Sequence, residues 1–379
     1  MAITTHWYLP TTGDARSILG SLRVMGRHDR RPDDEPGARP PSIDYLAQIA
    51  RAAEDMGFDA ALTPTGTWCD DAWITTAALT AMTTKLRYLV ALRPGLASPT
   101  LVAQQAATYQ RISGGRLLLN TVIGGDDPEQ QRFGDYLGKD ERYVRGEEWL
   151  EAFRGAWTGE PFSMDGEYVK VTGAFVVNPP AFPEIYLGGA SPAALRCAAR
   201  QADVFLHWGE PPEAIARQID SVKELSAQIR EQPDPLRFGI RLQVIARPTA
   251  DEAWAAAECW LDGADDDVVD GMQAALGSAV SEGQKRQLAL HGGSRDNLVV
   301  SPNLWAGPGL LRPGSGTALV GSYEDIADRL AEYHDLGVTE FILSGYPHLE
   351  EAYWVGEGVH PVLRERGLLA EPGSLHAVA

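Results

Sequence analysis

The chain is poor in cysteine, in positive charge and in long apolar runs, and each shortage removes a class of protein. Its three cysteines, Cys69, Cys197 and Cys259, are an odd number set far apart in 379 residues. That fits neither a disulfide framework nor a clustered zinc site, so no metal is expected. Lys and Arg number 33 against 52 Asp and Glu, a formal charge of -19, which makes a nucleic acid or an anionic membrane surface an unfavourable partner. No apolar run approaches the roughly 18 residues that a membrane-spanning helix needs. Met1 to Pro10 has neither a basic start nor a long apolar stretch with a small-residue cleavage site, so no signal peptide is expected and the chain reads as cytoplasmic. The remaining balance, 44% hydrophobic and 22% charged, is that of a chain able to bury a core, and it excludes disordered and fibrous classes. An acidic protein repels anions, so an anionic ligand has to be met by a local basic site.

Strand-like and helix-like segments alternate from end to end. Thr5 to Pro10, Asp59 to Thr65, Arg87 to Pro94 and Arg116 to Gly124 read as strands, followed in turn by helices at Ile43 to Met56, Asp70 to Thr83, Pro99 to Ile112 and Tyr143 to Trp157. Glu184 to Gly189, Asp203 to Gly209, Arg237 to Ala246 and Glu340 to Gly345 are the strands of the second half. Helices are expected there at Pro192 to Gln201, Pro212 to Ile229, Asp251 to Leu261, Tyr323 to Leu336 and Leu349 to Gly356. The strands are apolar without alternation, as suits a parallel sheet covered on both faces. Eight such units predict an α/β fold, a (β/α)8 TIM barrel spanning 1–379 as one domain. Its rival, two doubly wound domains, lacks the Pro/Gly/Ser-rich linker that would divide the chain.

Three insertions depart from a minimal barrel, at about 13–42, 160–180 and 262–316. The first, Thr11 to Ser42, has the composition of a surface loop and carries Arg23, Arg27, His28, Arg30 and Arg31. Phe162 to Val177, with Asp165-Gly166 at its turn, reads as a β-hairpin. Gly263 to Gly316 is glycine-rich with weak periodicity, and its length suggests a mobile lid.

In such a barrel the active site gathers at the C-terminal ends of the strands. Those ends supply Thr65 and nearby Cys69, Arg93, Asn120 and Thr121, Gly188 to Ser191, His207 and Trp208, Arg241 and Gln243, and Tyr346 and His348. The set is nearly free of carboxylates, which disfavours paired-acid glycoside hydrolysis. The turn Gly189-Ala190-Ser191 before a helix is either a phosphate site made of backbone N–H groups or plain turn chemistry. Arg241 sits in an otherwise apolar run and needs an anion, either a ligand or a core acid. Arg295, in SRDN, is by its composition a solvated charge. His348 and Tyr346 can move or share protons, or can cap a turn. Trp208 is core packing or one wall of a planar-ligand pocket, and Cys69 is a small thiol with no evident base beside it.

WYLPTTGD, TPTGTWCDDAW, LVALRPG, GGRLLLNTVIGGDDP, ERY, PEIYLGGAS, WGEPPE, RFGIRL, RDN followed by SPNLWAG, GTALVG and LSGYPHLEEAY occur in order along almost the whole chain. In this series the sequence resembles the bacterial alkanesulfonate monooxygenases of the luciferase-like superfamily. The resemblance implies an enzyme that uses FMNH2, delivered by a separate NAD(P)H-dependent reductase, and O2 to cleave an organosulfonate to an aldehyde and sulfite. It further implies that Asn120, Tyr143 and Gly189, Ala190 and Ser191 hold the FMN, with Thr65 and Cys69 beside its ring. Trp208, Arg241, Gln243, Tyr346, His348 and Thr12 then face the substrate, and Arg295 lies on a lid that closes over it. A homodimer or homotetramer is expected on the same ground.

Two positions depart from the family, which commonly has histidine where this chain has Thr12 and Gln243. Neither replacement can change charge near neutral pH. The alternatives are therefore the same chemistry on a specialised sulfonate (a sulfosugar such as sulfoquinovose, methanesulfonate, or a sulfinate), a deazaflavin-dependent oxidoreductase, and a flavin-binding relative without turnover. The Arg-rich first loop, following the first strand, is placed to recognise a larger sulfonate or to make an oligomer contact.

Overall fold

Eight short runs of β-branched and aliphatic residues pair side by side in parallel and close on themselves. In a computed structural model describing residues 2–25, 37–125, 127–230, 236–277 and 281–369, they are β1 (Thr4–Tyr8), β2 (Ala60–Thr63), β3 (Arg87–Leu92), β4 (Leu117–Thr121), β5 (Ile185–Gly188), β6 (Val204–Trp208), β7 (Arg237–Arg247) and β8 (Val338–Ser344). Each pairs with the next, and β8 pairs back onto β1 with Thr4 opposite Glu340. This is the (β/α)8 barrel that the alternating pattern predicts. Polar caps start the surrounding helices: the Ser98 hydroxyl accepts from Leu101 N–H ahead of Pro99, and the Ser191 hydroxyl accepts from Ala194 N–H ahead of Pro192.

A closed barrel has two faces per strand, and the sequence divides them by parity. Trp7, Val90, Leu119 and Leu187 turn outward into the core shared with the helices. Ala60, Leu62, Leu89, Leu118, Tyr186, Val204 and Ile342 turn inward and fill the barrel. At its N-terminal end the interior is charged. His6 Nε2 lies 2.7 Å from Glu340 Oε2, Arg237 donates to Glu340 Oε1 at 2.6 Å, and the Tyr186 hydroxyl donates to the same carboxylate at 3.3 Å. Arg237 and Arg87 both reach Glu184, and Arg87 also pairs with Asp59. Burial alone would push the Glu340 carboxyl up, but His6 and Arg237 outweigh it and hold it below its ordinary value.

The insertions differ from expectation in how much of them is built. The first is not a plain loop: Ile18–Val24 is a helix capped by Ser17, and Asp14 and Arg39 exchange both backbone hydrogen bonds. Arg27, His28, Arg30 and Arg31 lie outside the described residues. The hairpin forms from Phe162–Asp165 and Lys170–Ala174 as anticipated. The third insertion, expected as a weakly ordered lid, folds into helices Asp266–Gly277 and Glu282–His291 and the antiparallel pair Val299–Ser301 and Leu304–Trp305. Its Trp305, Leu310 and Leu311 share a second core with Ile18 and Leu19 of the first insertion and with Ile245, Trp260 and Val320. Buried glutamines sew it to the barrel, Gln287 donating to Gly209 O at 2.9 Å and Gln243 to Ser315 O at 3.1 Å. The weak periodicity reflects short elements held by tertiary hydrogen bonds rather than by an amphipathic face.

Because Glu340 compensates three buried polar partners at once, Glu340→Ala should cost about 3–5 kcal/mol of folding stability, the order found when one member of a buried charge network is removed. Urea unfolding followed by circular dichroism measures it, and a loss under about 1 kcal/mol would contradict a structural role for the network.

Candidate functional site

The same parity that fills the barrel continues upward, two residues at a time, to the C-terminal ends of the strands. Beyond His6 comes Tyr8, beyond Leu118 comes Asn120, beyond Leu206 comes Trp208, and beyond Ile342 comes Ser344. Arg241 joins this layer from β7: its guanidinium donates to Ser344 Oγ at 2.8 Å and to Leu242 O at 2.7 Å, and its carbon lies 4.8 Å from the centre of the Tyr8 ring. Burial, with the charge of Arg312 next, pulls Arg241 down to about 10. No carboxylate stands within ion-pair distance of Arg241 among the described residues, in contrast to Arg237 one helical-barrel layer below.

A second arginine, missed from the sequence, arrives from the third insertion. Arg312 donates to the Tyr346 hydroxyl at 2.9 Å, and it too has no acidic partner among the described residues. Tyr346 is itself clamped, its ring edge-on to Trp260 at 5.1 Å and its carbonyl accepting from Trp260 Nε1 at 2.9 Å. Tyr8, Tyr346 and His348 pack ring against ring, with centroids 5.5 Å apart for Tyr8 and His348 and 5.0 Å for Tyr346 and His348. Desolvation pushes the Tyr8 phenol up to about 12 despite both arginines, so it stays a neutral hydrogen-bonding group. His348 reaches back to a buried carboxylate, Asp14, with Nδ1 to Oδ1 at 2.9 Å.

Arg295 does not join this cluster. Its Nε lies 3.3 Å from Asp266 Oδ1 on the third insertion, whereas Arg312 of the same insertion reaches Tyr346. The physical reason is local: Arg295 lies in the polar run SRDN, whereas Arg312 follows buried Leu310 and Leu311, which anchor it inward. Thr12 turns its hydroxyl to Gly13 O at 3.3 Å, in its own loop. Gln243 is fully buried and ties Ser315 down, and its Oε1 has no partner. Trp208 is half-buried against Gly283, where an added Cβ would come within 3.0 Å of the indole.

The other half of the barrel mouth offers unsatisfied polar groups on adjacent strands. Among the described residues the Arg93 Nε and Nη1 groups are buried without a protein partner, although its Nη2 donates to Glu129 at 2.8 Å, and the Asn120 amide makes no hydrogen bond; the Thr63 and Thr121 hydroxyls, also unpartnered, have the outward parity of Leu119. Thr65 gives its carbonyl to Arg93 at 3.4 Å. Farther along, the Tyr143 hydroxyl stands so close to Gly124 and Gly189 that a Cβ at either would come to 2.9 Å from it, and Ser191 caps the helix that opens there. A cavity of about 270 Å³ adjoins Gly189 and Ala190, with Arg217 and Arg286 on its wall. Cys69, near the Thr65 end, is pushed up to about 11 by burial.

With the barrel and its mouth described, comparison with known proteins decides the family. A model of the luciferase-like monooxygenase family matches residues 23–340. The chain belongs to that family. Among solved structures, it superposes on a riboflavin lyase bound to modified FMN and riboflavin with a TM-score of 0.79 at 19% identity, covering 98% of this chain and 94% of that one. EDTA monooxygenase from Chelativorans sp. BNC1 gives 0.73 at 18% identity, over 98% and 95% of the two chains. An F420-dependent secondary alcohol dehydrogenase in complex with an F420-acetone adduct gives 0.65 at 16%, over 96% and 99%. At these identities the likeness speaks for the fold, which is that of flavin-dependent monooxygenases.

A flavin fits the residues present. The unpartnered Arg93 and Asn120 groups at the ends of β3 and β4 suit the polar edge of an isoalloxazine, and the glycine turn capped by Ser191 offers N–H groups to a phosphate. Burial that pushes the Cys69 thiol up to about 11 keeps it protonated at neutral pH. Iodoacetamide at pH 8 should therefore alkylate exposed Cys259 first and leave Cys69 and buried Cys197 intact over the same period. Peptide mass spectrometry reads this directly, and early labelling of Cys69 would show an activated thiol.

Proposed function

We propose that this protein is a two-component monooxygenase that uses reduced FMN and O2 to cleave the C–S bond of an organosulfonate. The balance is RCH2SO3⁻, FMNH2 and O2 giving RCHO, bisulfite, FMN and water, with the reduced flavin supplied by a separate NAD(P)H-dependent reductase. The observation that carries the reading is the pair Arg241 and Arg312, two guanidiniums brought to one tyrosine-lined mouth without a carboxylate among the described residues to neutralise either. A buried uncompensated cation is costly unless an anion completes it. A sulfonate presents three oxygens to such a pair while its adjacent carbon points away toward the flavin side of the barrel.

Bound FMN supplies the two electrons and the activation of oxygen. The protein orients and shields. Asn120, Tyr143 and Gly189 to Ser191 hold the cofactor in this reading, with Thr65 alongside its ring. Arg312 has only donors, so Tyr346 Oη must accept from it, and the tyrosine's own hydrogen is left to donate to whatever occupies the pocket. His348, buried beside it, can take or return a proton at Nε2. Trp208 and the packed third insertion cover the mouth and limit water. A homodimer or homotetramer is part of the same proposal.

Purified protein with a flavin reductase, FMN, NADH and a panel of alkyl and sugar sulfonates should release sulfite from at least one member, measured by thiol-reactive dye. Reduced flavin consumed without sulfite from any of them would refute desulfonation. Within that assay Arg312→Ala should raise KM by about 10- to 100-fold, the range for losing a hydrogen bond to a charged group. Arg295→Ala should stay within about twofold of the parent, and the reverse order would restore the role to Arg295.

A further inference from the structure

Two elements 334 residues apart meet at a single buried carboxylate. Asp14 is 0% exposed and accepts three hydrogen bonds, from Ala15 N–H at 2.9 Å, from His348 N–H at 2.7 Å and from the Tyr45 hydroxyl at 2.6 Å, and its Oδ1 lies 2.9 Å from His348 Nδ1. Two of these donors are backbone amides that can only donate, one to each oxygen, so Oδ1 and Oδ2 both act as acceptors. Behind Tyr45 stands Arg39, whose Nη1 lies 3.1 Å from the phenol oxygen and 2.6 Å from Glu350 Oε2. Exposure rises outward from Asp14, from 0% there to 25% for Arg39 and 45% for Glu350, and the His348 side chain is 3% exposed.

A guanidinium has five donors and no acceptor, and it does not lose its proton. At the Tyr45 oxygen it can only donate. The Tyr45 hydrogen is thereby forced onto Asp14 Oδ2, and burial with the neighbouring Asp14 charge pushes this phenol well above its usual range, so the hydrogen stays. Asp14 Oδ1 is left to take the hydrogen on Nδ1. We infer that the chain Glu350, Arg39, Tyr45, Asp14 fixes His348 as the Nδ1–H tautomer, with its Nε2 lone pair presented to Tyr8, Tyr346 and the arginine pair as a proton acceptor.

Asp14, Tyr45 and Arg39 are then positioning residues for the reaction proposed above, on which the catalytic part of this inference rests. When Nε2 takes a proton, the imidazolium charge is offset by Asp14 already in place, and the proton leaves from the same atom at the end of the cycle. Asp14 also serves the fold, because Pro347 at the start of helix His348–Trp354 has no side-chain cap and the Asp14 carboxylate receives the first helical N–H instead.

The test reads the tautomer without any turnover. Flavin-free protein labelled with ¹⁵N-histidine, with His348→Asn to identify the resonances, should show His348 Nδ1 protonated and Nε2 unprotonated. Asp14→Asn offers an N–H to Nδ1, so the tautomer should invert to Nε2–H, and in the sulfite assay kcat should fall about 10²- to 10⁴-fold with KM within about twofold. Tyr45→Phe should keep the tautomer and lower kcat by less than about tenfold. A wild-type Nε2–H, or an Asp14→Asn protein with unchanged tautomer and kcat, overturns the inference. The expected tautomers in a protein that releases no sulfite would support this assignment while refuting the desulfonation.

Discussion

Everything in the mouth of this barrel depends on the two-residue period of its strands. Because eight parallel strands close on themselves, each residue faces either the helices or the interior, and a shift of one position would exchange the two sets. One parity therefore carries the charged N-terminal layer of His6, Arg237 and Glu340, the apolar layer of Ala60, Leu89, Leu118 and Ile342, and the upper layer of Tyr8, Asn120, Trp208, Arg241 and Ser344. β7 makes the contrast within one strand. Arg237 and Arg241 lie four residues apart on the same inner face, yet the first meets Glu184 and Glu340 and the second meets carbonyls, a serine and an aromatic face. The same residue type is neutralised where the barrel needs closing and left charged where a ligand can enter.

The third insertion keeps that charge uncompensated. It is joined to the barrel by amides, Gln243 to Ser315 and Gln287 to Gly209, and held together by Gln284 at Gly314 and Gln287 at Gly316. Amides supply several hydrogen bonds without adding charge, so the insertion is secured next to Arg241 without supplying a counter-ion. Gln243 in particular cannot titrate, which holds the electrostatics of the arginine pair constant across neutral pH. The replacement of a family histidine at this position thus has a structural reading: a fixed hydrogen-bonding strut in place of a switchable one.

Much of the fold was legible because its apolar strands alternate in order with amphipathic helices, and each of the eight strands lies where the pattern puts it. The upper layer was partly legible for the same reason: Arg241 and Asn120 stand out as polar residues at the ends of apolar runs. Tyr8 carried the same signal, two positions beyond His6 in β1, and went unused. Arg312 was hidden because its loop, LLRPGS, looks less like a binding segment than SRDN does, although the buried leucines before it are what aim it inward. Asp14 could not be read locally at all. Its meaning comes from His348 and Tyr45, and a turn of sequence Thr-Gly-Asp gives no sign that its carboxylate will be buried 334 residues from its partner.

The overall acidity of the chain now has a physical place. At physiological ionic strength a surface charge is screened within about 8 Å, so a net charge of -19 sets the approach of an anion but not its fate once inside. In the mouth of the barrel the near field belongs to Arg241 and Arg312, whose acids have been spent elsewhere: Glu340 and Glu184 on Arg237, Glu210 on Arg286, Glu350 on Arg39. Asp14, beside the aromatic cluster, is engaged by Ala15 N–H, His348 N–H, the Tyr45 hydroxyl and His348 Nδ1. An acidic protein can therefore hold a site that selects anions, provided each nearby acid is already committed to another partner.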